Sequence, residues 1–314
     1  MTKAWISPEQ WRECGEYFPH RSHRIFYRRS RPDSAGQPAG SSLPNKPVLL
    51  LLHGFPTSSW DWSPLWENLT PHFHVIAPDL LGYGFSAKPV DDEYSILNQA
   101  DLCEAMLTKL GVSEYHILAH DYGDTVAQEL LARAHDDSAV SELKSICFLN
   151  GGLFPEAHRP RLVQRLLLSP LGGIVAKQMD FTRFAKSMTS IFGAGTPPSR
   201  AELEAMWSMV VENNGIQVMH KLIGYIPERK QYRSRWVGAL TNARTANIPL
   251  RLINGADDPV SGRHMAKRYA DLVPGADIML LNGIGHYPQI EAPQEVLRGV
   301  IGFHETRVVK HRSS

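Results

Sequence analysis

The residues "LAHDYGDTVAQE", Leu118 to Glu129, pass from an apolar stretch through a glycine two places beyond an aspartate and into helix-forming text. This is the frame of a nucleophile elbow: a strand, a sharp turn whose tip stands clear of the backbone, and a helix. Serine is the usual occupant of the tip, and here it is Asp121. Carboxylates are ionised at neutral pH, so one at the tip can attack without a base to deprotonate it. The same position also suits an aspartate that only caps the helix. What else the chain brings to the turn decides between the two.

Three further pieces bear on that choice. "HGFPTSSWDW" follows the apolar run "VLLLL", and a loop in that place can offer the backbone N–H of Phe55 to an oxyanion. The N–H of Tyr122, at the start of the helix where the dipole favours an anion, is the second candidate donor. Asp258 in "NGADDPV" closes one strand, and His286 in "NGIGHYPQIE" follows the next. Taken singly, these could be a Gly-Pro turn, a loop acid and one more surface histidine among the 14 in the chain. Their order of nucleophile, acid and histidine, each at the end of a strand, outweighs the separate readings.

These residues need a scaffold, and the chain has the rhythm of one. After an expected hairpin from "GEYFPH" and "HRIFYRR" comes "SRPDSAGQPAGSSLPNKP", a Pro, Gly and Ser cluster that reads as a loop. From Val48 apolar strands alternate with amphipathic helical segments: "VLLLLHG" with "SSWDWSPLWENL", "HVIAPDLLG" with "SILNQADLCEAMLTKLGV", and "YHILAHD" with "TVAQELLARA". "SICFLNGG" closes the series. Continuous apolar strands between helices predict an α/β fold with a mainly parallel central sheet and flanking helices. Residues 153–246 break the alternation with helical text only, and strands return in "IPLRLINGADDP" and "ADIMLLNGIGH". The expected organisation is therefore a core in two parts, 1–152 and 247–314, with a helical lid, 153–246, inserted between them.

The composition excludes other classes. A net charge of +1 gives no reason to expect nucleic acid or an acidic partner. Cys14, Cys103 and Cys147 have neither metal nor redox spacing and read as reduced thiols. The start of the chain lacks a signal-peptide pattern, and its apolar runs are far shorter than the roughly 20 residues of a membrane span. The expectation is a cytoplasmic protein, monomer or homodimer, with no metal and no cofactor.

"HGFP", "DLLGYGFSAKP", "HDYGD" and "GHYPQIE" resemble the α/β-hydrolase superfamily, and within it the aspartate-nucleophile branch of epoxide hydrolases, haloalkane dehalogenases and fluoroacetate dehalogenases. "LLHGFPTSSWDW", "HDYGDTVAQELL", "NGGLFPEAHRP" and "YRSRWVGAL" resemble the mesoderm-specific transcript proteins in particular. The resemblance covers nearly the whole chain. It implies a two-step hydrolysis, in which Asp121 attacks a saturated carbon to form an alkyl ester and His286, oriented by Asp258, activates the water that cleaves it. Asp257 is the other candidate acid, but matching "GADDPV" to the family's Asp-Pro step favours Asp258. Some dehalogenases place the acid after the strand that here ends "CFLNGG", where Asn150 is not ionisable.

The leaving group stays open between an epoxide oxygen and a halide. Tyr122 and Phe55 stand where haloalkane dehalogenases carry a halide-binding tryptophan and asparagine, which favours the epoxide. By resemblance to epoxide hydrolases, Tyr225 and Tyr232 in "GYIPERKQYRSRW" are candidate lid proton donors, although tyrosines on an amphipathic helix commonly just pack. Trp60, Trp62, Trp207 and Trp236, with Met206 and Met209, are candidates for an apolar pocket that would take a small, largely apolar electrophile. The basic run "ERKQYRSR" fits an anionic partner and a solvated helix face equally well. A reading of another class is a ligand-binding or signalling protein that keeps the scaffold without catalysis.

Overall fold

The computed structural model describes residues 6–30, 46–136, 138–242 and 248–308. Most of the expected Pro, Gly and Ser loop, and the lid boundary set at 246, lie outside them. A helix that the sequence did not announce, α1 (Pro8–Glu13), opens the described chain, with Ser7 and Gln10 forming a capping box. The hairpin follows as β1 (Gly15–His20) and β2 (His23–Arg29), paired antiparallel from Gly15 opposite Arg28 to His20 opposite His23.

The alternation then unfolds as β3 (Val48–Leu52), α2 (Ser63–Leu69), β4 (His74–Pro78), α3 (Ile96–Lys109), β5 (Glu114–His120), α4 (Tyr122–His135) and β6 (Glu142–Leu149). A short 3-10 turn, Ser59–Trp62, leads into α2. The eight strands form one sheet in the order β1-β2-β4-β3-β5-β6-β7-β8, where β7 is Leu250–Gly255 and β8 is Asp277–Leu281. Antiparallel pairing is confined to β1 with β2 and β2 with β4; β4, β3, β5, β6, β7 and β8 pair with one another in parallel. Every residue of β3 and β4 is buried, which is why these strands read as unbroken apolar text.

Between β6 and β7 the regular elements among the described residues are helical, chiefly α5 (Leu162–Leu167), α6 (Gly172–Lys177), α7 (Phe181–Thr189), α8 (Arg200–Val211), α9 (Met219–Leu222), α10 (Tyr225–Gln231) and α11 (Arg233–Thr241). Then come α12 (Arg263–Leu272), α13 (Pro288–Glu291) and α14 (Pro293–Phe303). No helix among the described residues is long and apolar enough to cross a membrane. The three cysteines are free thiols, two of them buried.

Two ties fix the helical segment to the sheet. The buried carboxylate of Glu129 on α4 accepts hydrogen bonds from Arg235 Nε at 2.7 Å and Trp236 Nε1 at 2.8 Å, both on α11. The Lys88 ammonium, in "SAKP" after β4, donates to the Met209 and Glu212 carbonyls at 2.9 and 2.7 Å at the end of α8, where helices leave carbonyls unpaired. Burial brings Lys88 down to about 8.

The registers align the carboxyl ends of the strands. Leu52 lies opposite Ala119, His120 opposite Leu149, and Gly255 opposite Leu281. The chain leaves β3 towards β4 on one side and returns through β5 on the other, and a ligand crevice forms where neighbouring connections diverge in this way. Phe55, Asp121, Asn150, Asp258 and His286 all follow closely on these strand ends.

Candidate active site

Asp121 sits at the tip of the turn between β5 and α4 with φ +47° and ψ −100°, a conformation that a residue with a side chain rarely adopts. Gly123 makes the turn possible, because a Cβ there would collide with the Leu52 carbonyl oxygen of the neighbouring strand. Asp121 precedes α4 but makes no side-chain capping bond to it. The helix-cap alternative is thereby set aside. Its Oδ2 instead accepts the backbone N–H of Phe55 at 3.1 Å, and the Tyr225 hydroxyl stands 3.5 Å from the same oxygen. Tyr122 is the first residue of α4, so its N–H precedes the helix's internal bonds.

His286 and Asp258 form the second half of the site. The His286 Nδ1–H donates to Asp258 Oδ2 at 2.8 Å; the carboxylate can only accept, which places the proton on that nitrogen. Asp258 also accepts from Asn150 Nδ2 at 3.0 Å, Ser261 Oγ at 2.7 Å, and the N–H groups of Val260 and Ser261 at 2.7 and 3.0 Å. Burial alone would raise this carboxyl, but the His286 charge and these donors hold it well below the ordinary range. Burial likewise disfavours a charged His286, yet the carboxylates of Asp258, Asp121 and Glu291 overcome it and push the imidazole up to about 9. Asp257 is exposed. Asn150 therefore contributes by bonding the acid that the alternative placement would have put in its own position.

The loop bearing His286 is pinned by Glu291, the last residue of "HYPQIE". Glu291 Oε2 accepts from the N–H groups of Gly285 and Gly193, both at 2.8 Å, and from Thr196 Oγ1 at 2.6 Å, while Oε1 accepts from Tyr287 N at 2.9 Å. The backbone N–H of His286 reaches the Ile191 carbonyl at 2.8 Å. The chain after α7 thus holds the imidazole's loop from above.

Arg229 is the site residue that the sequence hid. It lies in the basic run yet is 2% exposed, donating to the Asp121 carbonyl at 2.9 Å and to Thr125 Oγ1 at 2.7 Å. Its Nη2 is 3.9 Å from Asp121 Oδ1, and its guanidinium covers the Tyr225 ring at 4.5 Å. A Cβ on Gly152 would collide with Arg229 Nη1, so "NGG" makes room for this cation. Arg233 and Arg235 pair with Glu156 and Glu129. The run is thus in large part turned onto the protein's own carboxylates and not simply a solvated face. The one signal available was the position of Arg229 four residues after Tyr225, which puts the two on one side of a helix. That spacing does not say whether the shared side faces inward or outward.

Of the two candidate tyrosines, Tyr225 reaches Asp121, whereas Tyr232 lines a separate polar groove with Glu93, Asn98 and Glu228. The cavity over Asp121 and His286 is lined mainly by apolar side chains, among them Phe55, Leu167, Met179, Phe184, Met188 and Met219. None of the expected tryptophans lines it. Trp60 donates Nε1 to the Ile6 carbonyl beside α1, Trp62 is buried in the core, Trp207 packs on Phe184, and Trp236 is held by Glu129. Met206 and Met209 are core residues of α8. The methionines of the cavity come from other parts of the helical segment, and nothing in a methionine's local text separates lining from packing.

Residues 47–293 match the family model described as alpha/beta hydrolase fold. The chain is 43% identical over 311 residues to the mesoderm-specific transcript homolog protein of Bos taurus, covering 95% of this chain and 88% of that protein. Among solved structures it is similar to the haloalkane dehalogenase DbeA of Bradyrhizobium elkani USDA94, with TM-score 0.71 and 22% identity over 92% of this chain and 96% of that one. It is also similar to the epoxide hydrolase CorEH, with TM-score 0.72 and 18% identity over 93% and 98% of the two chains. At those identities the two structures speak for the fold alone, and the family model and the 43% relative speak for descent. The chain belongs to the alpha/beta hydrolase fold family.

Proposed function

We propose that this hydrolase works through a covalent alkyl ester on Asp121 and that its substrate is a small, largely apolar epoxide, converted to a diol. The observation that carries the proposal is the placement of one carboxylate, at the tip of a strained turn, between the Phe55 N–H and the Tyr225 hydroxyl, in the cavity that also holds His286. The helices from α5 to α11 serve as the lid.

With Oδ2 engaged by Phe55, Oδ1 is the attacking oxygen. It forms a bond to a ring carbon as the carbon–oxygen bond of the epoxide breaks, and the Tyr225 hydroxyl donates to the oxygen that leaves. Burial, with the Asp121 charge adding to it, raises Tyr225 well above the ordinary phenol range, so the hydroxyl keeps its proton until an alkoxide develops beside it. A halide would need N–H donors in the same place. Tyr122 supplies a phenol ring packed against Tyr83 and Tyr225 where an indole would be required, which favours the epoxide.

The second step follows from the charges. At rest the Asp121 carboxylate helps to keep His286 protonated. Esterification moves that negative charge to the leaving oxygen and on to its donor Tyr225, so the imidazole becomes a weaker base and gives up its proton, which by way of solvent restores the Tyr225 hydroxyl. Neutral His286 then takes a proton from water, and the hydroxide adds to the Asp121 carbonyl carbon. The N–H groups of Phe55 and Tyr122 hold the resulting oxyanion, a contribution of about 3 kcal/mol per donor; collapse of this intermediate breaks the bond from the carbonyl carbon to Oδ1 as the imidazolium returns its proton to Oδ1, which releases the diol, and the regenerated Asp121 acid then protonates His286. Arg229 holds the carbonyl of the strained turn throughout.

Three outcomes test this. His286→Gln should accumulate an Asp121 peptide heavier by the mass of the epoxide, and unmodified peptide under conditions in which wild type turns over would contradict it. Tyr225→Phe should slow ester formation from an epoxide by about a hundredfold, measured by rapid quench, and an unchanged rate would remove Tyr225 from the step. Ester hydrolysis in single turnover should rise with pH and level off at a value below the resting His286 value of about 9. The sign follows from the need for neutral imidazole: below that value the base is protonated and the rate falls. A hydrolysis rate that fell with rising pH would contradict the assignment.

A further inference from the structure

The exposed large apolar side chains of this protein are not scattered evenly. Leu162, Leu166, Leu168, Leu171 and Ile174 all belong to α5, α6 and the four residues between them, and Leu162, Leu171 and Ile174 are 71%, 62% and 61% exposed. The two helices pack on one another, so these side chains lie close together on the surface. The opposite side of α5 is spoken for, since Val163, Gln164 and Leu167 line the cavity over Asp121. An apolar surface therefore lies directly outside the apolar cavity, across the width of a single helix.

The charge of the segment is as one-sided as its hydrophobicity. Between Glu156 and Asp180 the sequence has no acidic residue, and it carries Arg159, Arg161, Arg165 and Lys177. Arg159, Arg165 and Lys177 are exposed. Leucines flanked by unopposed cations are the pattern of a helix that lies in a lipid interface, its apolar side chains in the acyl boundary and its cations at anionic headgroups. A second copy of the chain suits the face less well, because a two-fold interface would set this cationic segment against itself.

We propose that the α5–α6 face seats on the surface of an anionic phospholipid bilayer. The association is peripheral and calls for no membrane span. It also needs no turnover, so it stands or falls separately from the chemistry at Asp121.

The test is co-sedimentation of the full chain with vesicles of phosphatidylcholine alone and of phosphatidylcholine mixed with phosphatidylglycerol, at low and high salt, alongside sedimentation velocity without vesicles. Wild type should bind the anionic vesicles, more weakly at high salt, and bind neutral ones less. The variant Leu162→Ser, Leu166→Ser, Leu171→Ser, Ile174→Ser should lose that binding by about tenfold or more. Arg165→Glu with Lys177→Glu, which leaves the apolar face intact, should weaken it on anionic vesicles by a similar factor. Absence of binding to anionic vesicles, or binding that neither variant alters, would overturn the proposal. So would a concentration-dependent dimer that the serine variant dissociates while wild type ignores vesicles, which would assign the face to a second copy.

Discussion

The turn at Asp121 is the constraint on which the rest of the site depends. Holding a residue with a side chain at positive φ costs of order 1–3 kcal/mol, and it persists because the surroundings leave no alternative. Gly123 lets α4 start against β3, the Asp121 N–H is bonded to the Leu149 carbonyl at 3.3 Å, and Arg229 bonds the Asp121 carbonyl from the helical segment. Sheet and helices both hold the backbone in place. The carboxylate is then the free part of the residue, directed to the Phe55 N–H and the cavity.

Charge balance is the second level of organisation. In and around the site the protein buries Asp121, Asp124, Asp258, His286 and Arg229. Burial, with the Asp121 charge adding to it, pushes Asp124 well up, which disfavours its ionised form. Asp258 is held ionised by its donors, and His286 is matched to it. In the proposed reaction ester formation moves the negative charge of Asp121 to the leaving oxygen, and the imidazolium is the group placed to supply the balancing proton.

The fold was legible because parallel strands buried on both faces leave unbroken apolar runs, and the ends of those runs marked the positions of Phe55, Asp121, Asp258 and His286. Their meeting follows from register, which the order of the pieces reflected. Parts that depend on which face of a helix points inward were not legible. Tyr225 and Tyr232 are close in sequence at the two ends of α10, and only Tyr225 faces Asp121. Tryptophans near the site in sequence proved to be core or hydrogen-bonded to Glu129 and Ile6. Arg229 sat among other cations, and a buried arginine differs from a solvated one only through partners distant in the chain, Asp121 and Thr125.

The central claim is that the oxygen transferred to substrate comes from Asp121 and is replaced from water. A single turnover of an epoxide in oxygen-18 water, followed by mass analysis of the peptide containing Asp121, measures this directly. Incorporation of the heavy isotope into the Asp121 carboxylate, with unlabelled oxygen in the diol, is the predicted result. Label in the diol with none in Asp121 would show that water attacks the substrate directly, and would contradict the account.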